Sequence, residues 1–233
     1  MKRLLLGVLS LGVIAALVAG VTALRGGFDS SKRSLLVRRW ILNPAAHAEW
    51  AVKANSRCAD APFQIPSDGF IGYLWGDTFQ SSHPHQGIDL FSGTQAGVTP
   101  VYAVYDGYLT RMNDWKSTVV IRIPSDPLHP GRQIWTYYTH MAFADGSSTI
   151  SPDFPPGTSE VVVKAGTLLG TQGNYSGRAG NPVGVHLHFS IVSDEDGKIT
   201  NETLISNTYD PSPYFGMDLN AATAGTGIPN CTP

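Results

Sequence analysis

Cysteine and charge are both scarce in this chain. Only two of its 233 residues are cysteine, Cys58 and Cys231, and only 15% are charged. Neither cysteine directly follows the first apolar stretch, so a lipid-modified N-terminus is not indicated. No Gly-x-Ser-x-Gly, no glycine-rich phosphate loop and no His-Glu-x-x-His helix occurs. The usual signatures of serine hydrolases, nucleotide-binding proteins and helix-borne zinc peptidases are therefore missing. From residue 61 onward the pattern contains no long helix and no internal repeat. A basic surface is lacking too: residues 45–233 hold nine Lys or Arg against seventeen Asp or Glu. That acidic balance argues against nucleic acid as a partner.

What the chain does have begins at its N-terminus. Lys2 and Arg3 precede Leu4 to Leu24, a run of 21 uncharged residues. It is long enough to span a bilayer core as an anchor helix. A secretory signal peptide with Val21-Thr22-Ala23 as its cleavage site is the alternative. Either places the body outside the cytoplasm, in the cell envelope or secreted. Seven basic residues and one acid lie within residues 1–44, a composition suited to an anionic membrane surface. Residues 25–60 read as a basic connector. Within it Asn43-Pro44 is an N-cap followed by proline at the first helical position, and Ala45 to Lys53 can continue as a short helix. A segment so placed is a juxtamembrane stalk, or a cover for a groove. Residues 61–217 form the expected folded body, and 218–233 a tail. In an oxidising compartment Cys58 and Cys231 would clip the ends of that body together.

Gly 25 and Pro 16 imply many turns and favour β structure. Runs rich in β-branched and aromatic residues bear this out: Val101–Tyr105, Tyr108–Thr110, Val119–Ile123, Ile134–His140, Val161–Val163 and His186–Val192. Asp106-Gly107, between the first two, is a turn signal. The loops Pro124–Arg132 and Phe143–Pro156 are long enough to wall a groove. The expected fold is one all-β, antiparallel domain.

Four of the seven histidines sit where they could converge. His186 and His188 are two apart in a strand, so both rings project to one face. His85 lies four residues before Asp89, with Gly87 between them to permit a sharp backbone path. His140 ends the aromatic strand Trp135 to Thr139. Neutral imidazoles and a carboxylate are good zinc ligands, and a catalytic zinc takes three protein ligands. His85 and Asp89 supply two, and either histidine of the His186/His188 pair can supply the third.

These motifs, His85-x-Gly-x-Asp89, Tyr-x-His140 and His186-x-His188, resemble in type and order those of the LytM/lysostaphin-type zinc endopeptidases. The stretches GIDLFSGTQAGVTPVYAVYDGYLT and VVVKAGTLLGTQGNYSG resemble the family's bridging segments, and the likeness runs from about Phe70 to Tyr214. The resemblance implies one zinc ion held by His85, Asp89 and His188, with His186 catalytic and His140 its partner. It implies an antiparallel β-sandwich/barrel hybrid with a long open groove. It also implies a substrate, a peptide bond in the stem or cross-bridge of bacterial peptidoglycan. The sequence departs from the family's pattern at three places. The loop Arg178 to Val185 is longer, Ser190 stands where an acid is frequent after His-x-His-Phe, and Trp75-Gly76-Asp77 replaces a "GWR"-like start.

No glutamate accompanies the ligands, so a histidine, with an ordinary pKa near neutrality, is the expected general base. Two other readings compete. A non-catalytic envelope protein would use the same fold to bind peptidoglycan or regulate another hydrolase, but such relatives typically lose ligands. A phosphocarrier would use a histidine pair, but it needs neither the export segment nor His85 and Asp89. An envelope protein partner is compatible with the acidic body, which gives weak attraction to anionic wall polymers.

Overall fold

A computed structural model of the chain describes residues 33–80 and 83–231. The expected anchor or signal segment, residues 1–24, lies outside the described residues. Among the described residues no helix is long and apolar enough to cross a membrane.

The strands, in chain order, are β1 (Phe70–Tyr73), β2 (Thr78–Gln80), β3 (His83–Pro84), β4 (Ile88–Phe91), β5 (Pro100–Tyr102), β6 (Gly107–Thr110), β7 (Val119–Ile123), β8 (Ile134–Thr139), β9 (Val161–Val163), β10 (Leu168–Thr171), β11 (Leu187–Glu195), β12 (Lys198–Ile199) and β13 (Thr208–Tyr209). Among the described residues the main sheet has nine strands, in the order β1-β4-β11-β8-β7-β6-β9, with β12 and β13 added to β11. Every pairing within it is antiparallel. β5 with β10, and β2 with β3, form separate two-stranded sheets. The expected antiparallel β fold is therefore observed.

Strand alternation divides the sheet into two chemically distinct faces. Ile88 and Leu90 of β4, Leu187, Phe189 and Ile191 of β11, Ile134 and Tyr138 of β8, and Val119, Ile121 and Ile123 of β7 enter one buried core. Val101 of β5 and Leu169 of β10 join it. The other face carries two smaller apolar clusters. Val37, Trp40, Phe70 and Phe91 lie at the β1–β4 end, and Val120, Trp135 and Val192 at the β7–β8–β11 end. The polar residues of β4, β11 and β8 occupy the space between them.

Asp106-Gly107 does not join β5 and β6 into a hairpin. β6 pairs with β7 and β9 instead. The Asp106 carboxylate accepts from the Ala165 amide at 2.9 Å and from Lys164 Nζ at 2.8 Å, which ties this bend to the turn before β10.

Residues 33–42 form helix α1. Its Val37 and Trp40 are buried, and Trp40 Nε1 donates to the Phe91 carbonyl at 2.6 Å. Arg33, also buried, lies 3.6 Å from the Asp77 carboxylate and donates to the carbonyls of Gly72 and Gly225. Asn43 Oδ1 accepts from the Ala46 amide as an N-cap, and Pro44–Trp50 follow as a 3-10 helix rather than an α-helix. At the far end, helices α2 (Ser212–Phe215) and α3 (Ala221–Ala224) flank Leu219, which is fully buried. The Cys58–Cys231 disulfide is formed across 173 residues of sequence.

Candidate metal centre and active site

Three adjacent strands deliver the site. β4 and β11 pair so that Asp89 lies directly opposite His188, and β11 and β8 pair so that His188 lies opposite Thr139. Cross-strand partners have Cβ atoms about 5 Å apart, so Asp89 and His188 must meet on the face away from the core. His186 precedes β11 and makes a bridge to Gly173.

His140 needs a separate explanation. Alternation would send it to the core side with Tyr138. Instead its backbone has φ +69, a left-handed conformation unusual outside glycine. The break in alternation lets the ring line the groove. His140 Nδ1 donates to the Tyr175 carbonyl at 2.7 Å. Close approach makes glycine necessary beside it, because a Cβ on Gly173 would stand 2.2 Å from the Ala142 carbonyl oxygen.

His85 is held by a turn, not a strand. Its Nδ1 donates to the Leu74 carbonyl at 2.9 Å. The Gly76 amide donates to the His85 carbonyl at 2.8 Å, and the His85 amide to the Asp77 carbonyl at 2.7 Å. The Asp77 carboxylate closes this turn by accepting from the Leu74 amide at 2.6 Å. Trp75-Gly76-Asp77 is thus the mould for His85. Gly87 serves differently from the expectation of a sharp turn. It has no positive φ, and a Cβ there would stand 2.0 Å from the Phe189 carbonyl oxygen. Glycine at 87 lets the chain entering β4 press against β11.

His85 Nε2, Asp89 Oδ1 and His188 Nδ1 form a triangle with sides of 3.1, 2.9 and 3.0 Å. All three side chains are buried. A tetrahedral zinc with ligands about 2.0–2.1 Å away places them about 3.3 Å apart. The observed triangle is a few tenths of an ångström tighter. A carbonyl oxygen only accepts, so the Leu74 contact puts the His85 proton on Nδ1 and aims the Nε2 lone pair into the triangle. Two imidazole nitrogens and a carboxylate oxygen turned on one point form a donor set that fits a divalent zinc ion. Burial raises the Asp89 pKa, but the imidazoles of His85, His186 and His188 around it outweigh burial and hold the carboxyl well below its usual range.

His140 and His186 stand beside the triangle, their ring centroids 4.5 Å apart. His186 Nδ1 donates to the Gly184 carbonyl at 2.7 Å, and its Nε2 is 3.7 Å from Asp89 Oδ2. Phe91 stacks on the His186 ring, with centroids 5.0 Å apart and planes inclined by 24°. Burial lowers the pKa of both rings, and that of His140 falls to about 3 with the charges of His186 and His188 adding to the effect. The carbonyl contacts on Nδ1 leave Nε2 of each ring as the acceptor atom.

These five residues line a groove of about 420 Å³ together with Tyr137, Tyr175, Ser176, Gly177 and Glu202. No residue of Pro124–Arg132 or Phe143–Pro156 lines this cavity directly, although Gly146 of the second loop packs behind the Tyr175 ring. The first is drawn away by the Asp126 carboxylate, which accepts from Arg132 Nε at 2.9 Å and from the Tyr214 hydroxyl at 2.8 Å. No residue of 33–57 lines the groove either. Tyr137 lines it, whereas Tyr138 is fully buried in the core with its hydroxyl accepting from the Val104 amide. Glu202 was not anticipated. Its Oε1 accepts from His188 Nε2 at 2.9 Å and from Ser190 Oγ at 2.6 Å. No motif marks it, since it lies fourteen residues beyond His188, past β12.

No protein-family model and no curated protein matches the sequence. Among solved structures the chain is similar to the antimicrobial peptidase lysostaphin from Staphylococcus simulans, with 23% identity, 67% of this chain and 50% of that chain covered and a TM-score of 0.40. It is also similar to a LytM of Ruminococcus gnavus ATCC 29149, with 24% identity, 55% and 44% covered and a TM-score of 0.36. A zinc-containing peptidase from Vibrio cholerae matches with 20% identity, 66% and 40% covered and a TM-score of 0.35. The chain spans half or less of the length of each of these proteins. The fold expected from its LytM/lysostaphin-like motifs, antiparallel β with an open groove, is the fold observed.

Proposed function

We propose that this chain is a zinc-dependent endopeptidase that hydrolyses peptide bonds in bacterial peptidoglycan. The observation that carries the reading is the His85–Asp89–His188 triangle with two further histidines beside it in one groove. The LytM/lysostaphin-like spacing of these residues supplies the substrate class. A zinc ion held by the triangle would supply Lewis acidity toward a carbonyl oxygen.

The remaining chemistry falls to the chain's own residues. His140 and His186 each have Nδ1–H committed to a backbone carbonyl, so each presents Nε2 to the groove. A neutral Nε2 accepts a proton from the attacking water and returns it to the departing amine. The carbonyl contacts fix both tautomers beforehand, and Phe91 fixes the plane of His186. Among the described residues the groove lining includes the Asp89 and Glu202 carboxylates and no lysine or arginine. Action in the cell envelope belongs to the same reading. It is supported by the 21-residue apolar run and by the Cys58–Cys231 bridge, a bond that persists in oxidising compartments.

The test is turnover of purified peptidoglycan by the full chain before and after chelation. Activity that disappears with the metal and returns with one equivalent of zinc is expected. Undiminished activity in the stripped protein would refute the metal requirement.

A further inference from the structure

Glu202 is a mostly buried carboxylate on the wall of the groove, with a side chain 14% exposed. Burying a carboxylate is costly unless its oxygens are hydrogen-bonded. Here Oε1 accepts from both His188 Nε2 and Ser190 Oγ. His188 and Ser190 are two apart on β11, so both side chains rise from the same face toward this one oxygen.

The turn that carries Glu202 is pinned from two sides. Thr200 is tied to β11, its amide donating to the Ser193 carbonyl at 3.1 Å and its hydroxyl bonded to Ser193 Oγ at 2.8 Å. Gln86, next to His85, donates from Nε2 to the Thr203 carbonyl at 2.9 Å. Asn201 Oδ1 closes the turn by accepting from the Thr203 amide and hydroxyl. The segment around one metal-site histidine thus grips the turn that serves another.

We propose that Glu202, clamped by Ser190, is a positioning residue for the metal site: it holds the His188 proton on Nε2 and turns Nδ1 toward His85 and Asp89. This rests on the zinc reading of the triangle. The His188 ring stands between Glu202 and the triangle, so the carboxylate orients a ligand and is not one itself. A carboxylate on the far nitrogen of a ligating histidine fixes its tautomer and raises its basicity, and losing such a partner typically costs about 10–100-fold in metal affinity.

The experiment uses the purified full chain and the variants E202Q, E202D and S190A. Zinc dissociation constants come from competition with a chromophoric chelator, and unfolding midpoints are taken on stripped protein. The visible absorption of cobalt-loaded samples is recorded in parallel. E202Q should weaken zinc about 10–100-fold and shift the cobalt bands. E202D should recover most of the affinity, and S190A should fall between native and E202Q. S190A keeps the test intact if E202Q does not fold. Native zinc affinity and an unchanged cobalt spectrum in E202Q, or in S190A alone should E202Q not fold, would overturn the role of Glu202 while leaving the zinc reading standing. A lowered midpoint with unchanged zinc affinity would also overturn it, as a purely structural effect. If the native chain binds no zinc, the underlying reading falls and the proposal with it.

Discussion

His140, His186 and His188 show how the same side chain takes different work from different neighbours. A backbone carbonyl on Nδ1 fixes the tautomer of His140 and His186 and leaves Nε2 as the acceptor. His188 has the reverse arrangement, with Glu202 on Nε2 and the triangle on Nδ1. The account therefore separates binding from turnover. His188→Ala should abolish both zinc content and hydrolysis. His140→Ala and His186→Ala should keep near-stoichiometric zinc and lose about 10²-fold or more in turnover. Elemental analysis beside a turnover assay checks both, and full activity in either of the latter variants would remove the proposed bases.

The spacing that brings the candidate ligands together was legible in the sequence. His85 and Asp89 are close along the chain, and His186 and His188 obey the strand period. His140 was legible as a candidate from its place at the end of the aromatic strand, but its role came only through the resemblance, because alternation alone sends it to the core and its positive φ is not a sequence feature. Glu202 was not legible at all. Its place depends on how the turn after β12 folds back, although Ser190, standing where an acid is frequent, marked the gap that it fills.

At the scale of elements, helix α1 is a structural support for the site. Trp40 donates to the Phe91 carbonyl, and Phe91 stacks on His186. Arg33 reaches Asp77, whose turn holds His85. The basic, apolar stretch that reads as a connector is therefore packed on the sheet. Sequence could not reveal this, because Arg33 looks like a solvated charge until its guanidinium is seen among backbone carbonyls. Trp40→Ala should destabilise the protein by about 3–5 kcal/mol, the usual cost of emptying a buried tryptophan site. Denaturant unfolding measures it, and a change below about 1 kcal/mol would mean that α1 is not docked in solution. The turn at Asp106-Gly107 makes a related point. A local turn signal fixes where the chain bends, while distant partners decide which strands pair.

Over the whole molecule, two long-range ties close the fold. The Cys58–Cys231 bridge encloses nearly all of the body. Cys231→Ser should lower stability by about 2–5 kcal/mol, read from denaturant midpoints with the native disulfide intact in the reference. The second tie joins the loop of Asp126 and Arg132 to Tyr214, which follows the last strand. Burial raises the Asp126 pKa, but the Leu128 amide, Arg132 and Tyr214 prevail and hold the carboxyl below its usual value. A depressed folded-state pKa means stability that is present above the unfolded value of about 3.9. That stability is lost as pH falls through the lower folded value. Asp126→Asn should therefore flatten the fall in unfolding free energy below about pH 4, and an unchanged acid limb would show that the pair contributes nothing there.

The central claim is the chemistry of the groove, and the product of the reaction tests it most directly. Peptidoglycan digested with the zinc-loaded full chain would be analysed by mass spectrometry, with His188→Ala as the control. New peptide amino and carboxyl termini that appear only with the native chain are predicted, and their sequence names the bond cut. The absence of any zinc-dependent product, across walls with different cross-bridges, would contradict the account.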